Sequence, residues 1–345
     1  MDSVLHHDWH PVALASQIDV GAMLAVDLLD TRVVLWRASD GALQAWQDRC
    51  PHRGTRLSLG VVQDDTLRCP YHGWTFGRAG RCTHIPALVA APGSALPKAQ
   101  VAVYQVREQY GLAWVCLGTP SSTNATNTTN ATLATTAGPP AFPEFADPGL
   151  RKVWCGPYDV GSSGPRIVEN FLDMAHFGFV HAGILGDPQH TVIPDYAVET
   201  FDDAHYGSGV WARSCYAFQP QASRAATAGA DIEYSYRVVR PLTAILTKQA
   251  PGAIREAIAL LAQPLTETTT RVWIILALDD FTASDEALRD FQDTIFMQDL
   301  PILESQSPAR LPLTPGAEVS VACDRMSLAY RRYLKQLNLH YGVLR

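Results

Sequence analysis

Two short loops constrain this chain more than anything else in it: Cys50-Pro51-His52 and Cys69-Pro70-Tyr71-His72, with sixteen residues between His52 and Cys69. Each loop offers one thiolate and one imidazole. A [2Fe–2S] centre with two cysteines on one iron and two histidines on the other needs this ligand set. Neutral imidazoles replacing anionic thiolates leave the oxidised cluster less stabilised, so its potential rises. A Cys2His2 zinc site would instead group a cysteine pair and a histidine pair on a hairpin and a helix. Here the two residue types are interleaved in matched loops. Gly54 and Gly73 let the backbone approach the sulfides closely. Cys50, His52, Cys69 and His72 are therefore the candidate cluster ligands, while Cys82 reads as a small buried residue.

The flanking pattern is that of a small antiparallel β domain. Residues 32–36 and 43–46 read as strands joined by a turn at Ser39-Asp40-Gly41. Residues 119–140 are rich in Thr, Asn and Ala, with too little apolar content for a packed element, and read as a flexible linker. Beyond them a helix is expected over 166–177 and strands over 198–201, 232–239 and 270–278. Residues 254–262 suit a strand or a short helix, and a strand paired with 271–278 through a turn at 266–269 is preferred. Helices over 284–306 and 323–337 close the chain. A twisted antiparallel sheet with helices on one face follows, which is α+β.

A second metal motif lies in residues 170–181, NFLDMAHFGFVH. Two histidines and a carboxylate on one face leave positions open for O2 and substrate, the facial triad of non-haem iron oxygenases. His176 and His181 are five apart, which an ideal helix splays by about 140°. The helix must end or bulge between them, with Gly178 the expected place. For the carboxylate, residues 291–306 offer Asp293, Asp299 and Glu304. Helical neighbours of Asp299 are Ile295, Phe296, Ile302 and Leu303, so it points toward the core, where a metal would supply the partner a buried carboxylate needs. Asp293 has more polar neighbours. Pro301 removes a helical hydrogen bond to Met297 and loosens the backbone beside Asp299.

CPHRG followed by CPYHGW resembles the Rieske loops of the ring-hydroxylating oxygenases, the Rieske non-haem iron oxygenase family, and the likeness runs the length of the chain. Residues 173–181 match that family's D-x-x-H-x4-H pattern. The run QD-x-P-I-L-E-S-Q is similar to its carboxylate-ligand segment, favouring Asp299. The resemblance implies an α+β chain: a Rieske [2Fe-2S] domain over 1–118, the linker over 119–140, and a helix-grip catalytic domain with mononuclear Fe(II) over 141–345. YGLAWVCLG, ILESQSP and CDRMSLAYRRYLKQL resemble the homotrimeric monooxygenase branch, which holds caffeine N-demethylases, dicamba and vanillate O-demethylases and saxitoxin-pathway hydroxylases. In such trimers one subunit's cluster abuts its neighbour's iron. Asp173 is then expected to join a Rieske histidine, His72, to the iron histidine His176. The implied reaction uses O2 and two electrons to monooxygenate a C–H bond of a small aromatic or N-heterocyclic molecule, by hydroxylation or N- or O-demethylation. The alternative is a cis-dihydroxylating dioxygenase subunit. A plain electron carrier would need no second metal motif.

No G-x-G-x-x-G leads into a helix, so NAD(P)H is expected to act only through a separate reductase, directly or by way of a ferredoxin. With 27 basic and 34 acidic residues the net charge is −7. No basic block is present, which argues against nucleic acid as a partner. The longest apolar stretches, such as 272–278, are too short to cross a bilayer. Seven dispersed cysteines and no evident signal peptide point to a reducing cytoplasm. Residues 184–190, 234–236 and 254–260, with Phe291, Ile295 and Phe296, are the expected cavity walls. Trp211, Tyr216 and Trp273 read as ordinary core aromatics rather than rings stacked on a planar substrate, and His190 and His205 as surface or loop histidines rather than ligands.

Overall fold

The computed structural model describes residues 2–88, 96, 98–118, 138–203, 207–220, 229–249 and 255–345. They form two compact units, one over residues 6–118 with 138–139, the other over 140–345 with 2–5. The expected linker falls almost wholly outside the described residues, as does His205. Among the described residues no helix is long and apolar enough to cross a membrane.

The first unit holds β1 (His10–Leu14), β2 (Met23–Leu28), β3 (Thr31–Arg37), β4 (Leu43–Gln47), β5 (Val61–Gln63), β6 (Thr66–Arg68), β7 (Thr75–Gly77), β8 (Cys82–His84), β9 (Val103–Gln109) and β10 (Leu112–Cys116). Six strands form a sheet in the order β1-β10-β9-β4-β3-β2, and the other four the sheet β5-β6-β7-β8. All pairings are antiparallel. In β3 the apolar run Val33, Val34, Leu35, Trp36 is fully buried on both faces of the sheet. Trp36 and Trp46 meet edge to face with centroids 5.2 Å apart. With Leu57, Leu67 and Phe76 they form a core that runs up to Cys50 and Cys69. The cluster loops are thus anchored from beneath by packed aromatics.

The second unit contains β11 (Arg151–Val160), β12 (Ala197–Asp203), β13 (Gly207–Gln219), β14 (Ala230–Arg240), β15 (Thr243–Gln249), β16 (Glu256–Pro264) and β17 (Thr270–Leu278). These make one antiparallel sheet, β11-β17-β16-β15-β14-β13-β12. β16 takes the strand alternative for the ambiguous segment. It pairs with β17 through a turn in which the Leu265 and Thr266 amides donate to the Thr269 carbonyl. The helices are α1 (Ser3–His6), α2 (Pro143–Ala146), α3 (Gly164–Leu172), α4 (Phe177–Val180), α5 (Asp285–Ser305) and α6 (Arg325–Gln336). Ser163 caps α3 by accepting from the Arg166 amide, and Ser284 caps α5 by accepting from Ala287. Arg331 of α6 holds Glu169 of α3 through two hydrogen bonds of 2.5 and 2.7 Å and also reaches Glu318, locking the two helices together.

The helix expected over 166–177 is shorter than the sequence suggested. It stops at Leu172 because Asp173 turns to extended backbone (φ −88°, ψ 135°) and accepts from the Ala175 amide through its own carboxylate. The break therefore lies before His176, and Gly178 sits inside the next helical turn.

Candidate metal centres and substrate cavity

The Cys69–Trp74 loop joins β6 to β7, and the Cys50–Thr55 loop follows β4. Each is closed by paired backbone bonds: Cys69 N to Trp74 O with Gly73 N to Cys69 O, and Cys50 N to Thr55 O with Gly54 N to Cys50 O. Gly54 and Gly73 have φ of +74° and +68°, a left-handed conformation that only glycine adopts cheaply. The loops bring His52 and His72 together with ring centroids 4.5 Å apart, and His52 stacks on Trp74 at 4.3 Å. Burial and the neighbouring Cys69 push the Cys50 thiol up to about 11. His52 Nδ1 is buried without a hydrogen-bond partner. An orphaned nitrogen in a loop that itself carries a buried thiol, with the His72 ring packed against it, fits a metal cluster.

In the second unit, the asparagine-to-histidine segment behind α3 and the long helix α5 converge. His176 Nε2 lies 3.2 Å from His181 Nε2, and Asp299 approaches them at 3.5 and 3.3 Å. His176 precedes the single turn of α4 and His181 follows it. Flanking the turn, rather than riding on a continuous helix, lets two histidines five apart face one point. Gly186 makes this possible, since a Cβ there would lie 2.3 Å from the Phe177 carbonyl carbon. Asp299 falls within the buried stripe of α5, Leu288, Gln292, Phe296, Asp299 and Leu303. The other two carboxylates are engaged elsewhere. Asp293 accepts from the Tyr158 hydroxyl, and Glu304 accepts from the Gly161 amide at 2.9 Å.

The far nitrogens of both rings are held. His176 Nδ1 donates to Asp173 at 3.0 Å and His181 Nδ1 to the Gln298 side-chain oxygen at 2.8 Å. With those protons fixed on Nδ1, two lone pairs face each other across 3.2 Å, a repulsive arrangement that a cation relieves. Metal bonds of about 2.1 Å at right angles would set ligand atoms about 3 Å apart. The donor set and its spacing therefore fit a divalent iron. Burial alone would lower the His181 imidazole, but the Asp299 carboxylate outweighs it and raises it, so the site favours positive charge. Burial would raise the Asp173 carboxyl, yet the hydrogen bonds from His176 and the Ala175 amide hold it below the usual range.

Beside these groups is a cavity of about 880 Å³ including its open mouth. Phe171, Phe177, Phe291 and Phe296 give it aromatic walls. As expected, Leu185, Tyr234, Tyr236, Ile258, Leu260 and Ile295 line it too. Of the other aromatics, Trp273 is the core residue expected: it is buried, alternates with the cavity-facing Ile274 and bonds Gln263 on the opposite sheet face. Trp211 is half-buried and donates to Ser235, and Tyr216 is exposed, so these two are not core aromatics. Sequence reasoning missed Gln298 and Lys248. Glu256 lies in a segment expected to wall the cavity and Asn170 opens the metal motif, but neither was given a role of its own; the Asn170 amide donates to Asp299 at 3.4 Å.

Cysteine–histidine loops built for a cluster and a two-histidine, one-carboxylate face beside an aromatic cavity define an iron-dependent oxygenase. Residues 8–105 match the Rieske [2Fe-2S] domain and residues 160–339 the vanillate O-demethylase oxygenase C-terminal domain. Methylxanthine N1-demethylase NdmA of Pseudomonas putida is 32% identical over 342 residues, covering 96% of this chain and 89% of that protein. The probable methylxanthine N7-demethylase NdmC of Pseudomonas sp. (strain TJI-51) is 40% identical over 238 residues, 68% of this chain and 78% of that protein. The solved structure of Pseudomonas putida CBB5 NdmA with caffeine is similar at a TM-score of 0.78 and 31% identity, covering 96% of this chain and 90% of that one. The chain belongs to the Rieske non-haem iron oxygenase family. It carries a Rieske [2Fe–2S] cluster and a mononuclear iron, uses O2, and is a monooxygenase rather than a ring dioxygenase. Its substrate is a small molecule, and its electrons come from a separate reductase.

Proposed function

We propose that this oxygenase removes a methyl group from nitrogen on a planar heterocycle of the methylxanthine kind. The observation that carries this reading is the His176, His181 and Asp299 face opening onto a cavity walled by aromatic rings. The full-length similarity to a methylxanthine N-demethylase supports it. In this reading Cys50, His52, Cys69 and His72 hold the cluster, and His176, His181 and Asp299 hold the iron. Iron and cluster together supply the activation of O2 with two electrons. An N-methyl group, O2, two electrons and two protons give N-hydroxymethyl and water. The N-hydroxymethyl then splits into N–H and formaldehyde.

The chain's own residues do the positioning. Asp173 and Gln298 fix the tautomers of His176 and His181, so both present Nε2 to the iron. Asn170 orients Asp299. The phenylalanine walls hold a flat ring and keep water from the reacting carbon. The working assembly is a homotrimer in which Asp173 links His176 to His72 of a neighbouring subunit, in a reducing cytoplasm that suits its seven free cysteines. Electrons arrive from the reductase directly or through a ferredoxin.

The test supplies iron-loaded protein with a surrogate reductase, NADH and O2, and offers caffeine, theobromine and dicamba in turn. Formaldehyde with loss of one methyl from a purine is expected. Formaldehyde from dicamba alone would point to O-demethylation instead and overturn the N-demethylase reading.

A further inference from the structure

The cavity-facing side chains of the sheet fall into three rows across β14, β15, β16 and β17. Val238, Ala244, Leu260 and Ile274 form one row, and Tyr236, Leu246, Ile258 and Leu276 the next. Apart from Tyr236, both are apolar. The third row breaks the pattern: Tyr234 stands opposite Lys248, and Lys248 opposite Glu256. Lys248 Nζ lies 2.7 Å from Glu256 Oε2, with side chains only 10% and 13% exposed. Among the described residues, these two are the only charged side chains lining the cavity outside the His176, His181 and Asp299 group. They also border a second, outer depression lined by Glu233 and Arg255, so the pair stands at the cavity mouth.

A buried ion pair is weak as a stabilising device, because desolvating both charges offsets most of their attraction; well-packed apolar residues of similar size serve a sheet as well or better. Placed in a substrate cavity, the same pair is a ready recognition edge. Lys248 donates and Glu256 accepts, side by side. Because each neutralises the other, the edge carries no net charge and gives an anion no advantage: a carboxylate drawn to Lys248 meets Glu256. What complements it is a neutral ring edge with adjacent C=O and N–H groups.

We infer that Lys248 and Glu256 form a specificity edge for a neutral lactam or imide, so that the substrate is an N-methylated heterocycle keeping at least one free ring N–H beside a carbonyl. The inference rests on the N-demethylase reading of the cavity and names the substrate class within it. Theobromine has such an N–H between two carbonyls; caffeine carries a methyl there; dicamba is a carboxylate.

The test measures binding of these three probes to the iron-loaded holoenzyme by calorimetry, and turnover by formaldehyde release. Wild type is expected to bind theobromine at least about tenfold tighter than caffeine, since a site built to pair a substrate N–H rejects an analogue lacking it. The double variant Lys248→Met/Glu256→Met, which leaves no lone charge buried, should bring the two within about threefold of each other, with the loss in KM rather than kcat. Glu256→Gln keeps the side chain's size but removes the carboxylate 2.7 Å from Lys248, leaving the edge more positive. It should weaken theobromine and tighten dicamba about tenfold, a readout that stands if the double variant fails to fold. Equal wild-type binding of the two purines, or a preference untouched in the variants, overturns the inference. Theobromine bound selectively without formaldehyde keeps the edge and sinks N-demethylation. Formaldehyde from both purines at equal kcat/KM keeps the reaction and sinks the edge.

Discussion

At the scale of single residues, Asp173 and Gln298 each hold one histidine Nδ1, which turns the Nε2 atoms of His176 and His181 toward each other. In the proposed function these two groups, which do not touch the metal, decide which nitrogen would face it. Asp173→Asn keeps an acceptor for His176 but loses the negative charge. Both metal centres should load, while product formation falls about a hundredfold. Iron analysis and the cluster's EPR signal, read beside formaldehyde release, check this; near-normal turnover would remove Asp173 from electron transfer. Gln298→Leu should leave the cluster intact and weaken mononuclear iron binding by about ten- to a hundredfold, seen as iron lost on dialysis. Asp173 was legible because it shares a motif with His176. Gln298 was not, because only the packing of α5 brings it to a ring 117 residues away.

At the scale of elements, the α3–α4 corner and the stripe of α5 do the assembling. The five-residue spacing of His176 and His181 already ruled out a straight helix. Where the chain would break was misread, since the Asp173 carboxylate competes for the Ala175 amide one residue after α3 ends. The corner survives because glycine lies where the chain passes within contact of the Phe177 carbonyl. Gly186→Ala forces a methyl into that backbone and should cost about 2 kcal/mol or more. Mononuclear iron should fall while cluster absorbance stays, which a metal assay on purified protein resolves. In α5, Asp299 was readable from its apolar helical neighbours. The engagement of Asp293 with Tyr158 and of Glu304 with Gly161 emerges only when β11 and the turn after it are packed against the helix.

At the scale of the whole molecule, two compact units carry two kinds of iron centre held by different ligand sets. In the proposed function two buried thiolates, Cys50 and Cys69, anchor the cluster, whereas the His176, His181 and Asp299 face offers only three neutral or carboxylate ligands and opens onto a cavity. A chelator should therefore lower the iron from about three per chain to about two, abolishing turnover while cluster absorbance remains. Added Fe(II) should restore activity. Parallel loss of cluster and activity would contradict this separation.

The meeting of His52 with His72 and of His176 with His181 was readable from the chain alone because each motif is local: its residues lie within loops or turns whose spacing sets the geometry. Four strands of the catalytic sheet, β12, β14, β16 and β17, were readable for a similar reason, as apolar runs bounded by turns; β11, β13 and β15 were not read from the sequence. What only tertiary structure decided is which residues from distant strands share a row. Lys248 and Glu256 belong to separate strands; Glu256 fell in a segment expected to wall the cavity, but nothing local marked its partner, and antiparallel register alone sets the two opposite each other on the cavity face. Pairing across a sheet is fixed by the sum of many weak contacts along both strands, so the chemistry it creates is written in no single segment.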